Sequence, residues 1–255
     1  MSSVTVRRGA SHIVRTPGYA ACMDVRVISI GALAANDLWN ERSAVRTGHT
    51  TTTLIRDGAL TMLVDPGLPS AALVPRLHER AGLQPKDITH VYLTRFGGDT
   101  TRGLDAFEHA TWWLPETERE AVGVPLAQEL QRIVSGESDL GPAGGVPLRQ
   151  ALEREIAVLS RTEPAPDRLS PSLSIFPMPG VSPGLAGVLV EQSPATLLIA
   201  GDAVLSGDHV AAGRVAAFAH DLEQARESFQ DALEIADVLV CGRDNLMLNP
   251  VKRPF

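Results

Sequence analysis

Side chains that could do chemistry gather in one short stretch, residues 90–104, which reads HVYLTRFGGDTTRGL. The stretch begins with an apolar run typical of a buried β-strand, breaks at Gly97 and Gly98, and continues through Asp99 and Thr100. A strand that breaks at glycines and leads through Asp or Thr into a helix ends at the carboxyl edge of a sheet, where backbone amides gather. Active sites of layered α/β proteins lie at this edge. We therefore expect the functional site to include Asp99 and its neighbours.

The composition of the chain excludes several classes of function. Of its 255 residues, 44% are hydrophobic and 21% are charged, which is typical of a globular protein with a substantial core. We predict a single domain over residues 1–255. The net charge of −7 makes a nucleic-acid backbone an unfavourable partner. Because no signal segment opens the chain and no apolar run is long enough to span a bilayer, we expect a cytoplasmic protein with no membrane partner.

The spacing of hydrophobic residues predicts the order of the structural elements. Residues 1–24 are expected to form a polar arm, and residues 31–48 a loop that Trp39 fixes in place. Asp57 and Gly58 are a strong signal for a β-hairpin turn, and Gly82 is expected to end a helix. We predict helices over residues 70–81 and 221–235, and strands over 25–30, 50–56, 60–64, 91–93, 111–114, 173–176, 187–191, 195–200 and 238–240.

Residues 115–168 differ from the rest of the chain because helical spacing replaces the strand pattern. We predict helices over residues 125–134 and 147–159, joined by a flexible glycine-rich segment at 141–145. A helical insertion in a β-rich chain is a candidate lid or oligomerisation element. A homodimer, or a complex with a partner chain, is therefore one expectation for this protein.

Hairpins followed by a helix, twice in succession, suggest two packed β-sheets with helices outside. The stretch at 90–104 resembles the signature of the metallo-β-lactamase superfamily, a strand followed by Thr-His-x-His-x-Asp-His. Four further segments resemble motifs of that superfamily in the same order, namely LVDPG at 63–67, PGVSPG at 179–184, AGD at 200–202 and CGRDN at 241–245. The resemblance covers about residues 25–249. It implies an α/β (α+β) fold, the αββα four-layer sandwich of two mixed sheets flanked by helices.

The resemblance also implies a metal site whose imidazoles are missing here. In the family, five histidines and two aspartates hold one or two zinc-type ions and a bridging hydroxide. Only the aspartates, Asp99 and Asp202, are retained. Glycine and valine cannot ligate a metal, threonine is a poor ligand, and a guanidinium repels a cation. We therefore predict no metal and no cofactor, since the histidine positions are occupied by Arg95, Gly97, Thr100, Val181 and Arg243.

The replacements suggest how the site is neutralised. Without metal ions, Asp99 and Asp202 would be like charges facing each other in a partly buried cleft, which is costly. Guanidinium groups can bind carboxylates in two-pronged fashion, so we expect Arg95 and Arg243 to pair with the two aspartates.

Three functions are compatible with these residues. In the first, a metal-free pseudoenzyme binds a small anionic or hydroxylated ligand, or a partner chain, in the old cleft. In the second, a repurposed enzyme uses an arginine to stabilise an oxyanion and an aspartate as a base of raised pKa. The candidate catalytic residues are Asp99 and Asp202, and the candidate ligand-binding residues are Arg95, Arg243, His49, His209 and Thr100.

The third function keeps metal chemistry at a new place. His49 and His209 lie in segments expected near the cleft, and together with Asp99 and Asp202 they could form a single-metal site, since His and carboxylate ligands from separate loops suit zinc. Such a site would hydrolyse an ester, lactone or thioester. Cys241 follows a predicted strand and has no histidine partner at ligand spacing, so we expect it to be a buried structural thiol.

Overall fold

The computed structural model describes residues 23–135, 141–192 and 195–252. The first of its two sheets contains β1 (Asp24–Ser29), β2 (Thr52–Asp57), β3 (Leu60–Val64), β4 (His90–Tyr92), β5 (Thr111–Leu114) and β6 (Glu163–Pro164), in this spatial order. Pairing is antiparallel from β1 to β3 and parallel from β3 to β6. The polar arm predicted for residues 1–24 lies outside the described residues except at its end, where β1 begins.

The second sheet contains β7 (Arg168–Ser170), β8 (Leu173–Pro177), β9 (Ala186–Gln192), β10 (Ala195–Gly201), β11 (Val238–Cys241) and β12 (Leu246–Leu248), again in chain order. Every neighbouring pair is antiparallel except β10 and β11, which are parallel. The helices are α1 (Ser70–Ala81), α2 (Glu116–Val134), α3 (Gly141–Arg161), α4 (Gly207–Ala212) and α5 (Leu222–Ile235).

Alternating residues of the first sheet pack on opposite sides, as the two-residue period of a strand requires. Leu54 of β2 and Leu63 of β3 pack with Leu73 of α1 in one buried cluster. Their neighbours Ile55 and Met62 belong to a different cluster, which also contains buried residues of β8, β9, β10 and β11. One face of this sheet therefore contacts a helix and the other contacts the second sheet.

The second sheet divides its residues in the same way. Leu198 of β10 and Leu239 of β11 pack with Phe229 of α5. The intervening residues Ile199 and Val240 join the cluster between the sheets. Helix, sheet, sheet and helix thus form four layers, and the predicted αββα architecture is confirmed.

Most predicted elements are present within a few residues of their expected bounds. The β2–β3 turn contains Gly58 in the left-handed region, with φ +59°. Gly82 ends α1 with φ +68°, and its N–H donates to the His78 carbonyl. Both glycines occupy backbone conformations that other residues adopt only with strain. Asp221 caps α5, and its side chain accepts from the amides two and three residues further on.

The insertion is helical, but its predicted internal bounds were wrong. Helix α2 begins at Glu116 rather than at residue 125, and α3 begins at Gly141, so residues 141–145 form part of a helix rather than a joint. Glycine and proline lower local helix propensity, and this local preference is what predicted a joint at 141–145. Leu152 and Leu159 on the later turns of α3 are buried.

Four short elements, β6, β7, α4 and β12, were not predicted because each spans only two to six residues. Trp39 fixes its loop by its polar edge rather than by burial. The ring is 60% exposed, while its Nε1–H donates to Asp208 Oδ2 at 3.0 Å. None of the helices in the described part of the chain has the length and apolarity that crossing a bilayer requires.

Candidate functional site

Asp99 lies in a tight turn that follows β4. The backbone amides of Thr100 and Thr101 both donate to the Gly97 carbonyl, at 3.0 and 3.2 Å. The Thr100 hydroxyl donates to the same carbonyl at 2.8 Å. Arg95 lies at the start of the turn, so the turn directs a cation and a carboxylate of the same loop towards each other.

Asp202 and Arg243 are brought together by two parallel strands. They follow β10 and β11, and the carboxyl ends of parallel neighbours meet at one edge of the sheet. The intervening backbone is very close, because a Cβ at Gly242 would lie 2.5 Å from the Gly201 carbonyl carbon and 2.7 Å from Asp202 Oδ1. Only glycine permits this approach at position 242.

The four charged side chains join in one network of charge-assisted hydrogen bonds, which we call the Arg–Asp quartet. Arg95 donates from Nε to Asp202 Oδ2 at 2.7 Å, and from Nη2 to the two oxygens of Asp99 at 2.8 and 2.9 Å. Arg243 donates from Nε to Asp202 Oδ1 at 2.7 Å, and from Nη2 to Asp202 Oδ2 at 2.7 Å and Asp99 Oδ2 at 2.5 Å. Each carboxylate binds both guanidiniums, so the predicted pairing is confirmed.

The quartet is buried most deeply at Asp202, whose side chain is 1% exposed, compared with 28% for Asp99. Burial alone would raise the pKa of Asp202, but Arg95 and Arg243 outweigh it and hold the pKa at about 2. Arg95 and Arg243 also lower the pKa of Asp99 below its ordinary value, because their positive charges outweigh the effect of burial. A general base would need a raised pKa, so the shift has the opposite direction to the one that a catalytic aspartate requires.

Gly97 provides the space that the Arg95 guanidinium occupies. A Cβ at position 97 would collide with Arg95 Nη1 and would lie 3.0 Å from Asp99 Oδ1. A histidine at position 97, as the superfamily signature has it, is therefore incompatible with this placement of Arg95.

A cavity of about 630 Å³ borders the quartet. Three of its lining residues, Arg95, Asp99 and Arg243, belong to the quartet. The remaining lining residues are mostly small or apolar, and they come from the 31–48 segment, the turn after β4, the 179–184 segment and the region before α5. These residues are Leu33, Ala34, Ala35, Gly48, Gly97, Gly98, Arg102, Val181, Ser182 and Phe218.

Glu118 holds two of these lining segments together, a role that the sequence did not indicate. The side chain is fully buried. Its Oε1 accepts from the Phe96 amide at 2.9 Å, and its Oε2 accepts from the Ser182 hydroxyl at 2.6 Å and the Gly184 amide at 3.0 Å. Helix α2 of the insertion is therefore connected directly to the wall of the cavity.

The structure does not bring His49 into the quartet. Its ring nitrogens contact backbone carbonyls instead, Nδ1 that of Thr47 at 3.3 Å and Nε2 that of Ile30 at 3.1 Å. Thr100 is likewise used internally, since its hydroxyl donates to backbone carbonyls of its own turn. Neither side chain lines the cavity, because each is oriented by the loop backbone around it.

His209 lies on α4, with its side chain fully buried and in contact with Ser206 and Asp37 rather than with the quartet. Its Nδ1 is 2.7 Å from Ser206 Oγ, and its Nε2 is 3.4 Å from Asp37 Oδ1. Burial lowers its pKa, although Asp37 acts in the other direction. The predicted grouping of His49 and His209 with the two aspartates does not form. No group of three or more His, Cys, Asp or Glu side chains within residues 23–135, 141–192 and 195–252 has a metal-binding arrangement.

Cys241 and Asp65 are the other buried titratable groups near this edge. Burial raises the pKa of the Cys241 thiol to about 12, which confirms a structural thiol and excludes the lowered pKa of a reactive one. Asp65, with φ +50°, accepts from the Thr94 amide at 2.8 Å and the Thr94 hydroxyl at 2.6 Å. Burial raises the pKa of Asp65 to about 7 in spite of these bonds.

Comparison with known proteins identifies the fold. A model of the metallo-beta-lactamase superfamily matches residues 45–242. A Thermotoga maritima protein described as a metallo-beta-lactamase superposes with a TM-score of 0.61 at 17% identity, covering 89% of this chain and 99% of its own. The dizinc quorum-quenching lactonase AidC superposes with a TM-score of 0.60 at 16% sequence identity, covering 80% of this chain and 76% of its own. The hydrolase AbOPH of the beta lactamase superfamily superposes with a TM-score of 0.57 at 14% sequence identity, covering 91% of this chain and 92% of its own. A search of curated sequences gives no significant match.

Replacing Arg243 by methionine should lower the free energy of unfolding by about 3 kcal/mol, because a buried carboxylate loses one of its two cations. The matched control is Arg168→Met, which removes an exposed pair with Glu191 and should change stability by less than about 1 kcal/mol. Urea unfolding measures both. Equal effects of the two substitutions would contradict a structural role for the quartet.

Replacing Asp65 by asparagine should flatten the pH dependence of stability. The pKa of Asp65 rises from an ordinary 3.8 to about 7 on folding, so its contribution is fully present below pH 3.8 and is lost as pH rises through about 7. Asparagine stays neutral, so the variant should lose less stability than wild type between about pH 5 and about pH 8. The exposed Asp231→Asn is the control and should follow wild type in urea unfolding at each pH. A variant slope equal to that of wild type would contradict the raised pKa.

Proposed function

The chain belongs to the metallo-beta-lactamase superfamily, and we propose that its cleft binds a small molecule without a metal ion. The observation that supports this proposal is the Arg–Asp quartet. Both aspartates that the family uses as metal ligands accept hydrogen bonds here from Arg95 and Arg243. The two guanidiniums thus supply the positive charge that the carboxylates need in a buried place.

The residues present do not fit a zinc centre. Zinc requires imidazole, thiolate or carboxylate ligands with free lone pairs. The positions that the resemblance assigns to imidazoles hold arginine, glycine, threonine and valine. An ion placed between Asp99 and Asp202 would also meet two permanent cations, which would repel it. We infer that the quartet takes the place of the metal site.

Ligand binding is favoured over acid–base catalysis. The pKa values of Asp99 and Asp202 are lowered by the adjacent arginines, so both carboxylates are ionised and weakly basic at neutral pH. A pseudoenzyme that uses the cleft for recognition is consistent with these pKa values. Asp99 is 28% exposed at the cavity and can accept from a ligand hydroxyl, so hydroxylated anionic molecules are the class that we propose.

The alternative function is a metal-dependent hydrolase acting on an ester, lactone or thioester. The names of similar structures include hydrolases and lactonases, but identities of 14–16% show the fold alone. This alternative requires His49 and His209 to leave their present partners and approach Asp99 and Asp202. No contact in the described part of the chain favours such a rearrangement.

Purified protein should contain well under one equivalent of zinc, iron or manganese, because two guanidiniums occupy the carboxylates. Elemental analysis measures the content, and thermal unfolding with and without a chelator should give the same midpoint. An intact dizinc member of the superfamily, treated identically, is the control and should lose stability. A stoichiometric transition metal that co-purifies with this chain would contradict the proposal.

A screen of hydroxylated and carboxylated metabolites by thermal shift in chelator-treated buffer tests ligand binding itself. At least one class should raise the unfolding midpoint of wild type, because a ligand that binds only the folded state stabilises it. Stabilisation that appears only when zinc is added would instead support the hydrolase alternative.

A further inference from the structure

The quartet leaves few hydrogen-bond donors for a ligand. Arg95 and Arg243 each use Nε and Nη2 to bind the aspartates. Within the described residues, only the Nη1 group of each guanidinium lacks a hydrogen-bond partner. The side chains are also 13% and 4% exposed. Two deeply placed cations that are already neutralised by carboxylates are weak primary sites for an anion.

Arg102 is a different kind of cation in the same cavity. It is exposed, it lines the cavity, and its Nη1 donates to the Gly48 carbonyl at 3.0 Å. In the residues that the structure describes, no carboxylate lies within ion-pair distance of it, and its Nε and Nη2 donors have no partner. Arg102 extends from the segment after the β4 turn to the 31–48 segment, so its charge is held at the cavity rim by a bond that does not neutralise it.

Among the described residues that line the cavity or belong to the quartet, one positive charge has no carboxylate partner. Arg95, Arg102 and Arg243 are the cations, and Asp99 and Asp202 are the anions. The Glu118 carboxylate lies behind the wall, where it accepts hydrogen bonds from two backbone amides and a hydroxyl. The quartet is neutral as a unit, so the remaining charge belongs to Arg102. A monoanion would balance the charge of Arg102, whereas a dianion such as a phosphate monoester would leave one negative charge near the partly exposed Asp99 carboxylate.

Much of the remaining lining is apolar. It contains Leu33, Ala34, Ala35, Val181 and Phe218, and the Phe218 side chain is 57% exposed. Removing this surface from water would be favourable. A cavity of about 630 Å³ is also far larger than an inorganic anion requires and is within the range of organic ligand sites.

Building on the proposed metal-free binding function, we propose that the cleft takes a carboxylate carrying an apolar tail, with Arg102 binding the carboxylate. The guanidinium fork of Arg102 matches the two oxygens of a carboxylate. The tail lies against Phe218 and Val181, and the Nη1 group of Arg95 and the Asp99 carboxylate are left for a polar substituent near the head group. Arg102 therefore determines charge specificity, while the quartet maintains the shape of the cavity.

Isothermal titration of chelator-treated protein with hexanoate, octanoate and decanoate, below their micellar concentrations, tests the proposal. Affinity should rise by on the order of tenfold for each added pair of methylene groups. Acetate, which has no tail, and octan-1-ol and octylamine, which have no negative charge, should bind much more weakly. Equal binding of octanoate and octylamine would overturn the assignment of a monoanion.

Variants identify the site. Arg102→Met keeps the stem but removes the charge, and should weaken octanoate binding at least about tenfold without changing the unfolding midpoint. Arg102→Lys should recover part of the affinity, and Phe218→Ser should reduce the dependence on chain length. The exposed Arg168→Met is the matched control and should bind as wild type. Equal octanoate affinity for wild type and Arg102→Met would overturn the role of Arg102.

The outcomes separate this inference from the function on which it rests. If metabolites from the thermal-shift screen bind in chelator-treated buffer but no tailed carboxylate does, this inference is overturned and the metal-free binding function remains. If tailed carboxylates bind only after zinc is added, the proposed function itself is overturned.

Discussion

The buried carboxylate of Asp202 is the constraint on which the site depends. An ionised group that is 1% exposed must be paired and hydrogen-bonded, or its burial is strongly unfavourable. Here the Asp202 carboxylate accepts three hydrogen bonds from Arg95 and Arg243. Because Asp202, Arg95 and Arg243 come from the ends of three different strands, the neutralisation of one carboxylate also holds the loops of both sheets together. The cavity has its shape because these loops cannot separate without exposing that charge to an apolar interior.

The glycines around the quartet follow from the same constraint. An arginine side chain is larger than the ligand groups of a metal site and needs space for its guanidinium. Gly97 gives that space to Arg95, and Gly242 allows the backbone of β11 to approach Asp202. A side chain at position 97 would displace the Arg95 guanidinium from its present place, so this arrangement of the quartet depends on Gly97.

The sequence predicted the layers and the pairing of charges, because both depend on regular patterns. Two-residue alternation determines which strand residues face the second sheet, and motif spacing placed Arg95 and Arg243 near the aspartates. Local signals misplaced the start of α3, whose position depends on packing, and the orientation of His209, which depends on a contact with Asp37. The position of Arg102 depends on how the 31–48 segment folds back over the turn after β4. Nothing in either segment alone indicates that approach.

In the metal-free function that we propose, the guanidinium groups determine what the cleft can do as well as how it is neutralised. A zinc ion keeps an open coordination position and makes bound water more acidic, whereas the donors of Arg95 and Arg243 are already directed at Asp99 and Asp202 and lower their pKa values. In the proposed function, the centre of the cleft therefore offers neither an electrophile nor a base. Among the described residues that line the cavity, the cation without a carboxylate partner is Arg102, which lies at the rim next to apolar surface. A site of this construction can select a ligand by charge and by tail length, while the residues that would act on the ligand remain paired with each other.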